Sequence, residues 1–407
     1  MKKIIAAVTA IAIVYSVANA ELLKNFKYDG KIEVNAYTTQ NYYDHNSDGK
    51  DTTSDVDTRV QLNMGFDLNE DVRANVSIVK ANRQYGDGSE HLNTLQNNLF
   101  VDQAYLDIKG VFGIDHKFGR QYYGNEGDLV IYYGPKGWPY QFNLSVPGAN
   151  NLGVTGVDGW TGYYKNGKLD LTAALFKLSN SNTGVEDLDS DIAGLDAKYA
   201  LNDNVTLGAY IYEKKDYNDT SRDDLTDVVG LKAFGKYSGF DYYAEYAKNY
   251  GKVGTDKLEG SAYLARLGYG MDLAGKIYFC GEYASLSGND SPTKEEGFQS
   301  IAGDYRPGII WGGDITTQTN DFKTWNLGVK WTPESINKLT AGAKYYNFTD
   351  EINGDAIGNE LDIALNWNHS DKLGITAYYA MFDYDEDILG YDGDATKMLG
   401  AALNVKF

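Results

Sequence analysis

The chain has 407 residues, with 57 acidic against 37 basic side chains and a formal charge of −20. That balance argues against nucleic acid as a partner, because a phosphate backbone is gripped by clustered Lys and Arg. A single cysteine, Cys280, excludes a disulfide framework, and 34 tyrosines make the chain too aromatic for a disordered one.

The first element is a secretory signal over residues 1–20. Lys2 and Lys3 form its basic end, Ile4 to Val14 its apolar stretch, and Ala18-Asn19-Ala20 a small-residue cleavage site before Glu21. The apolar run is too short for a membrane anchor, which takes about 20 residues. The residue directly after the cleavage point is Glu21 and not cysteine, so no N-terminal lipid anchor is expected. The mature chain is expected outside the cytoplasm, as one domain over 21–407.

From there the elements read as strands. Val72, Ala74, Val76 and Ile78 alternate with Arg73, Asn75, Ser77 and Val79. Further along, Tyr263, Ala265, Leu267, Tyr269 and Met271 do the same, as do Trp325, Leu327, Val329 and Trp331. Leu361, Ile363, Leu365 and Trp367 follow, and the chain ends on Leu399, Ala401, Leu403, Val405 and Phe407. Such period-two stretches recur about eighteen times, each of roughly ten residues, the length of a transmembrane β-strand. A mean hydropathy of −0.44 would suggest a soluble chain, but averaging hides an apolar half confined to alternate residues. A soluble β-propeller is the rival all-β reading.

The connections fall into two kinds that alternate along the chain. Tight ones include "LNED" from Leu68, "KNGK" from Lys165, "YSGF" from Tyr237 and "HSDK" from His369. Long, acidic ones include "DHNSDGKDTTSD", "NSNTGVEDLDSD" and "KDYNDTSRDDLTD". Short turns at one end and long loops at the other predict a transmembrane antiparallel up-and-down β-barrel of about 18 strands, both termini periplasmic. Strands running toward the short turns finish on aromatic residues of one parity: Phe66, Tyr164, Tyr199, Tyr237, Tyr269, Trp331, Trp367 and Phe407. Rings at one level make an interfacial girdle.

Two insertions break the loop lengths, at about 123–156 and 288–321. They hold Pro135, Pro139, Pro147, Pro292 and Pro307, while Pro333 sits in a turn, so the strand interiors stay free of proline. The first insertion is read as a constriction loop folded into the lumen, against an external loop packing a neighbouring protomer or lipopolysaccharide.

Inward parity assigns the pore-lining charges. Arg59, Arg73, Arg83 and Arg120 are expected on one basic wall, with Arg266 further along. Asp241, Glu245, Glu282 and Asp362 are expected across the lumen. Walls of unlike charge would impose a transverse field on passing solutes. The plain alternative is that the arginines only neutralise lumen carboxylates.

Other chemistry is thin. "DHNSDGKDTTSD" spaces Asp44, Asn46, Asp48, Gly49 and Asp55 like a calcium loop, but it lacks the terminal Glu and flanking helices, so a solvated acidic loop is preferred. A membrane-barrel enzyme needs a nucleophile or water activated beside a histidine. His45 and His91 fall in outer loops, and His116 and His369 in turns, so no enzyme, metal or cofactor is expected.

A terminal alternating strand ending in Phe407 resembles the assembly signal of outer-membrane β-barrel porins. "AYLDIKGVFGIDHKFGRQ" from Ala104, "GDYRPGIIWGGD" from Gly303 and "GNELDIALNWNHSDKLGITAYYAMF" from Gly358 are also similar to the alginate-export family. The first resemblance implies a passive channel for small hydrophilic solutes, inserted by the barrel-assembly machinery among outer-membrane lipid and lipopolysaccharide. The second implies a monomeric eighteen-stranded conduit exporting an anionic polysaccharide. A non-conducting adhesin is the third reading. Outward faces that look alike around the barrel leave monomer and homotrimer both open.

Overall fold

The computed structural model describes residues 24–41, 52–82, 99–135, 155–179, 189–217, 224–311, 321–336, 338–385 and 393–407. The signal segment, Arg83, His45, His91 and most of the acidic Asp44–Asp55 loop lie outside the described residues.

Eighteen antiparallel strands build one closed sheet. They are β1 Lys24–Gln40, β2 Thr53–Asp67, β3 Val72–Asn82, β4 Leu99–Val111, β5 Ile114–Gln121 and β6 Val157–Asn166. Next come β7 Leu169–Ser179, β8 Ser190–Asn202, β9 Val205–Asp216, β10 Asp224–Tyr237, β11 Phe240–Val253 and β12 Ser261–Asp272. The circuit finishes with β13 Gly275–Leu286, β14 Phe322–Pro333, β15 Leu339–Asp350, β16 Ala356–Asn368, β17 Leu373–Tyr384 and β18 Thr396–Lys406. Each strand pairs with its chain neighbours, and β1 pairs with β18 from Lys31↔Lys406 to Gln40↔Lys397. The expected up-and-down barrel of about 18 strands is what the chain forms.

The seam between first and last strands is tied at both ends. The Gly30 N–H donates to the Phe407 carbonyl at 3.1 Å, and the Phe407 N–H returns to the Gly30 carbonyl at 3.0 Å. At the other end Thr396 Oγ1 donates to the Asn41 carbonyl at 2.7 Å, and Asn41 Nδ2 to the Ala395 carbonyl at 3.2 Å. A Cβ at residue 30 would lie 2.4 Å from the Phe407 ring, so only glycine lets the last aromatic fold across the first strand. Phe407 is therefore a paired residue of the wall and not a frayed end.

Alternation separates two faces. Leu195, Ile211, Leu231, Leu267, Leu327 and Leu399 are between 46% and 63% exposed, an apolar belt that water would not tolerate but lipid does. Tyr199, Tyr237, Tyr269, Trp331, Trp367 and Phe407 share that outward parity at the short-turn end, as the girdle requires.

The inward face is divided. Near β1 to β5 it is polar, with Glu33, Asn35, Arg59, Gln61, Ser77 and Asp102 buried. Across the barrel, toward the long-loop end, it is apolar: Phe176, Ile192, Val228, Leu264, Leu286, Phe348, Phe382 and Met398 are all below 5% exposure. Strands there are apolar on both faces, which an empty water-filled lumen would penalise. The described parts of the two long insertions explain it, because Leu129, Ile131, Ile310 and Trp311 pack into the same buried cluster as this surface.

Two outcomes follow from these pairings. Deleting Phe407 removes both hydrogen bonds to Gly30 and the girdle ring, so the yield of heat-modifiable, folded barrel should fall sharply beside the intact protein. Leu327→Arg puts a charge on the lipid face and should cost about 2–4 kcal/mol in vesicle unfolding titrations. Lys330→Gln, three residues on and facing inward, should leave stability nearly unchanged.

Candidate functional site

The first insertion turns into the lumen directly after β5. Gln121 at the strand end is fully buried, and its carboxamide holds Thr161 Oγ1 at 2.7 Å. The next residue, Tyr122, donates its hydroxyl to Asp102 Oδ2 at 2.6 Å. Where the insertion returns, Thr155 donates to the same carboxylate through its N–H (2.6 Å) and its hydroxyl (2.8 Å). Asp102 can serve both ends because it is the extra residue of a bulge, between Ser77↔Gln103 and Ile78↔Val101. A bulge re-aims a side chain that regular pairing would point elsewhere.

Inside the barrel the insertion forms a small hairpin, pairing Tyr123–Gly124 with Tyr132–Tyr133. Gly124 (φ +78) and Gly127 (φ +80) make the tight turn, in the left-handed region that favours glycine. Tyr123 reaches β7 and β9, where its hydroxyl lies 2.9 Å from that of Tyr212 and its ring packs edge-on against Phe176. Leu129, Val130 and Ile131 are buried.

The second insertion enters from β13 and meets the first. Ile131 and Ala302 form a parallel bridge, with Ala302 N–H donating to the Val130 carbonyl (2.9 Å) and Tyr132 N–H to the Ala302 carbonyl (2.8 Å). Beside it Asp304 N–H donates to the Asp128 carbonyl at 2.9 Å. Burial pushes the Asp304 carboxyl up to about 6 and Asp128 adds to this, while the Gly127 N–H works against it. Arg306 Nε also stands 3.3 Å from Asp304, so the carboxylate form keeps a partner. The first insertion was expected to constrict the lumen; the described parts of both insertions do so, joined to each other.

Beneath the first insertion lies a cavity of about 270 Å³, lined by Tyr122, Tyr123, Asp128, Tyr163, Asp196, Lys198, Tyr210, Tyr212 and Lys232. Lys232 Nζ stands 3.5 Å from Glu245 and 4.9 Å from the centre of the Tyr210 ring. Lys117 sits 4.7 Å from the centre of the Tyr105 ring, and Lys344 at the same distance from Tyr346. These lysines and Arg266 share inward parity on β5, β8, β10, β12 and β15.

The sequence-predicted residues separate clearly. Arg59 is inward and 4% exposed, with Nη1 4.0 Å from Glu33 Oε2. Arg73 is inward near the short turns and pairs with Asp67 at 2.9 Å. Arg266 pairs with Glu282, which also accepts from Tyr305 (2.9 Å) and Asn326 (3.0 Å). Glu245 accepts from Tyr210 at 2.7 Å and from Tyr243. Asp362 accepts from the Ile309 N–H of the second insertion at 3.3 Å, and Asp241 accepts from Tyr278 at 2.8 Å. Arg83 lies outside the described residues.

Arg120 requires correction: it is not on the lumen wall. It shares a face with Phe118, which is 45% exposed and pairs with Leu106 on the lipid side. Its Nη2 binds Asp158 at 2.5 Å. A row of alternating charge continues outside the barrel in direct register, Arg120–Asp158–Lys177–Asp191–Lys215. Gly119, with φ +119, and the short length of β5 make its parity hard to count from either end. His116, expected in a turn, lies in β5 on that same outer face, against Phe118 and Trp160.

What sequence reasoning missed were the inward lysines, which were not singled out beside the arginines. Each is followed or preceded by an outward apolar residue, such as Leu231 before Lys232 and Tyr345 after Lys344. Consistent parity counting would have found them.

A closed eighteen-strand sheet with a lipid belt, a girdle and a lumen narrowed by inward loops defines the class: a transmembrane β-barrel with the outer-membrane porin fold. Solved structures share it. The chain is similar to OccAB2 of Acinetobacter baumannii, at 12% identity and a TM-score of 0.62, over 95% of this chain and 99% of that one. OccK8 (OprE) of Pseudomonas aeruginosa gives 12%, 0.61, 95% and 99%, and the outer membrane protein OprD of the same organism 12%, 0.57, 95% and 94%. The family described as alginate export matches residues 180–374, just under half of the chain. No curated protein sequence matches.

The two faces make different demands on charge. Replacing Lys198 and Lys232 with Gln should move the reversal potential in a salt gradient toward cation preference, by an amount that shrinks near 1 M salt, where screening reaches about 3 Å. Arg120→Gln should leave the reversal potential where it was.

Proposed function

We propose that the chain is a passive outer-membrane channel for small hydrophilic solutes. The observation that carries this reading is the bridge of Ile131 to Ala302, which draws two inward loops together across a closed barrel. An unobstructed barrel of this strand number would pass large solutes. Loops that meet inside it leave a passage bounded by the polar β1–β5 wall and by tyrosines and lysines beneath the first insertion. Arg59, Arg73, Arg266, Glu245, Glu282 and Asp362 belong to that polar lining in this reading, with Arg266 paired to Glu282, and Glu282 and Asp362 meeting the second insertion.

The reading implies an orientation with short turns and both termini in the periplasm, insertion by the barrel-assembly machinery, and outer-membrane lipid and lipopolysaccharide around the belt. It involves no cofactor and no bond-making chemistry. Export of an anionic polysaccharide is the second reading, favoured by the match to the alginate-export family over 180–374 and by the inward lysines. The crossed lumen supports small solutes over a polymer.

Planar-bilayer recording separates these. A small-solute channel gives ohmic conductance that is weakly affected by polyuronate, and vesicles containing it swell in small neutral sugars but not in large ones. Strong block by polyuronate at low salt would favour the exporter. Absence of any conductance from folded protein would sink both and leave the adhesin.

A further inference from the structure

The second insertion carries a segment, Pro307-Gly308-Ile309-Ile310-Trp311, that is seated on the wall by an arrangement unlike ordinary loop packing. Glu360, on β16, is fully buried. Its Oε1 accepts the Ile310 N–H at 2.6 Å, and its Oε2 accepts the Trp311 N–H at 2.9 Å. Asp362, two residues on and on the same face, accepts the Ile309 N–H. Three successive backbone donors thus converge on two neighbouring carboxylates. A carboxylate buried without donors is costly, so this wall favours the seated loop strongly.

Two further features fit the segment to its seat. A Cβ on Gly308 would fall 2.2 Å from Glu360 Oε2, so the backbone can approach the carboxylate only without a side chain there. The Trp311 ring packs against both Phe348 and Phe382, with centroids 4.8 and 5.6 Å away, and meets Phe322 edge-on at 6.0 Å. Earlier in the same insertion, Asn249 on β11 clasps Gln299 through both amide atoms, at 2.7 and 2.8 Å. The insertion is therefore a strap running from β11 to β16, with the junction to the first insertion between its two anchors.

We propose that Glu360, assisted by Asp362, is the positioning residue that sets the bore of the channel, by holding this strap across the lumen. The proposal rests on the channel reading. The Glu360 side chain takes no part in the backbone ladder that closes β15, β16 and β17, so its removal frees the strap while the barrel stays paired.

Single-channel recording of Glu360→Ala, Glu360→Gln and Gly308→Val tests it. Glu360→Ala should raise conductance per channel by about twofold or more and admit larger neutral sugars into vesicles. Glu360→Gln keeps one acceptor and should fall between it and the native protein. Gly308→Val unseats the strap from the loop side, leaving the wall untouched, and should act in the same direction. A residue needed only for folding would reduce the number of channels without changing the conductance of each. A second readout does not depend on conduction: Ile310→Cys in a Cys280→Ser background should react with a water-soluble maleimide about tenfold faster or more once Glu360→Ala is added. If native protein fails to conduct while that contrast holds, the channel reading falls and the latch stands. Native conductance, native size limit and equal maleimide rates in the folded variants would overturn the latch.

Discussion

Every other feature of this molecule depends on one requirement: in hydrocarbon, no backbone N–H or C=O can be left without a partner. A flat sheet fails it at two edges. The chain meets it by pairing β1 with β18 and by closing the seam with Phe407 opposite Gly30. Antiparallel closure then imposes the two-sided strand, the alternation of turn lengths and, among the described strands, the confinement of proline to a strand end, Pro333 of β14. The aromatic girdle follows as well, because the outward residue at each strand end meets the membrane interface at a similar depth.

A closed barrel of this size creates a second problem, the content of its lumen. The chain solves it unevenly. The inner wall is polar near β1 to β5, and elsewhere carries an apolar surface toward the long-loop end, against which the described parts of two inward loops pack. Those loops bring backbone amides into a space with little water, and the wall answers with buried polar side chains placed to receive them. Asp102 binds both ends of the first insertion, Asn249 clasps the second at Gln299, and Glu360 takes it at Ile310 and Trp311. Burial of Leu129, Ile310, Trp311 and their neighbours adds the non-directional part, about 1.5–3 kcal/mol for each large aliphatic side chain fully covered. Directional and non-directional terms act on the same segments, which is why the loops take one path through the lumen.

Charge is distributed by a different rule on each face. Inside, cations are shared between carboxylates and tyrosine rings, as with Lys232 between Glu245 and Tyr210. Outside, at the long-loop end, five adjacent strands carry alternating charges in register from Arg120 to Lys215. That row lies directly beyond Phe118, Trp160 and Leu175, and so marks where the apolar belt stops. The belt and the lumen therefore hold similar residues for unlike reasons, and only the face distinguishes them.

The barrel was legible in the sequence. Period-two alternation, two classes of connection and a terminal Phe407 reflect short-range constraints that each strand must satisfy alone, so they can be read one segment at a time. Most inward charges were legible for the same reason, since parity along a strand such as β11 or β13 decides which way Glu245 and Glu282 point. Arg120 was not legible, because β5 is short and carries Gly119 at φ +119, so its face is settled only by pairing with β4 and β6. The inward fold of the first insertion was expected, but that of the second and their joining were not: Ile131 and Ala302 are far apart in the chain and share no pattern. The roles of Asp102 and Glu360 depend on which loop reaches them across the lumen, a contact between distant segments that only the closed barrel brings within hydrogen-bond range.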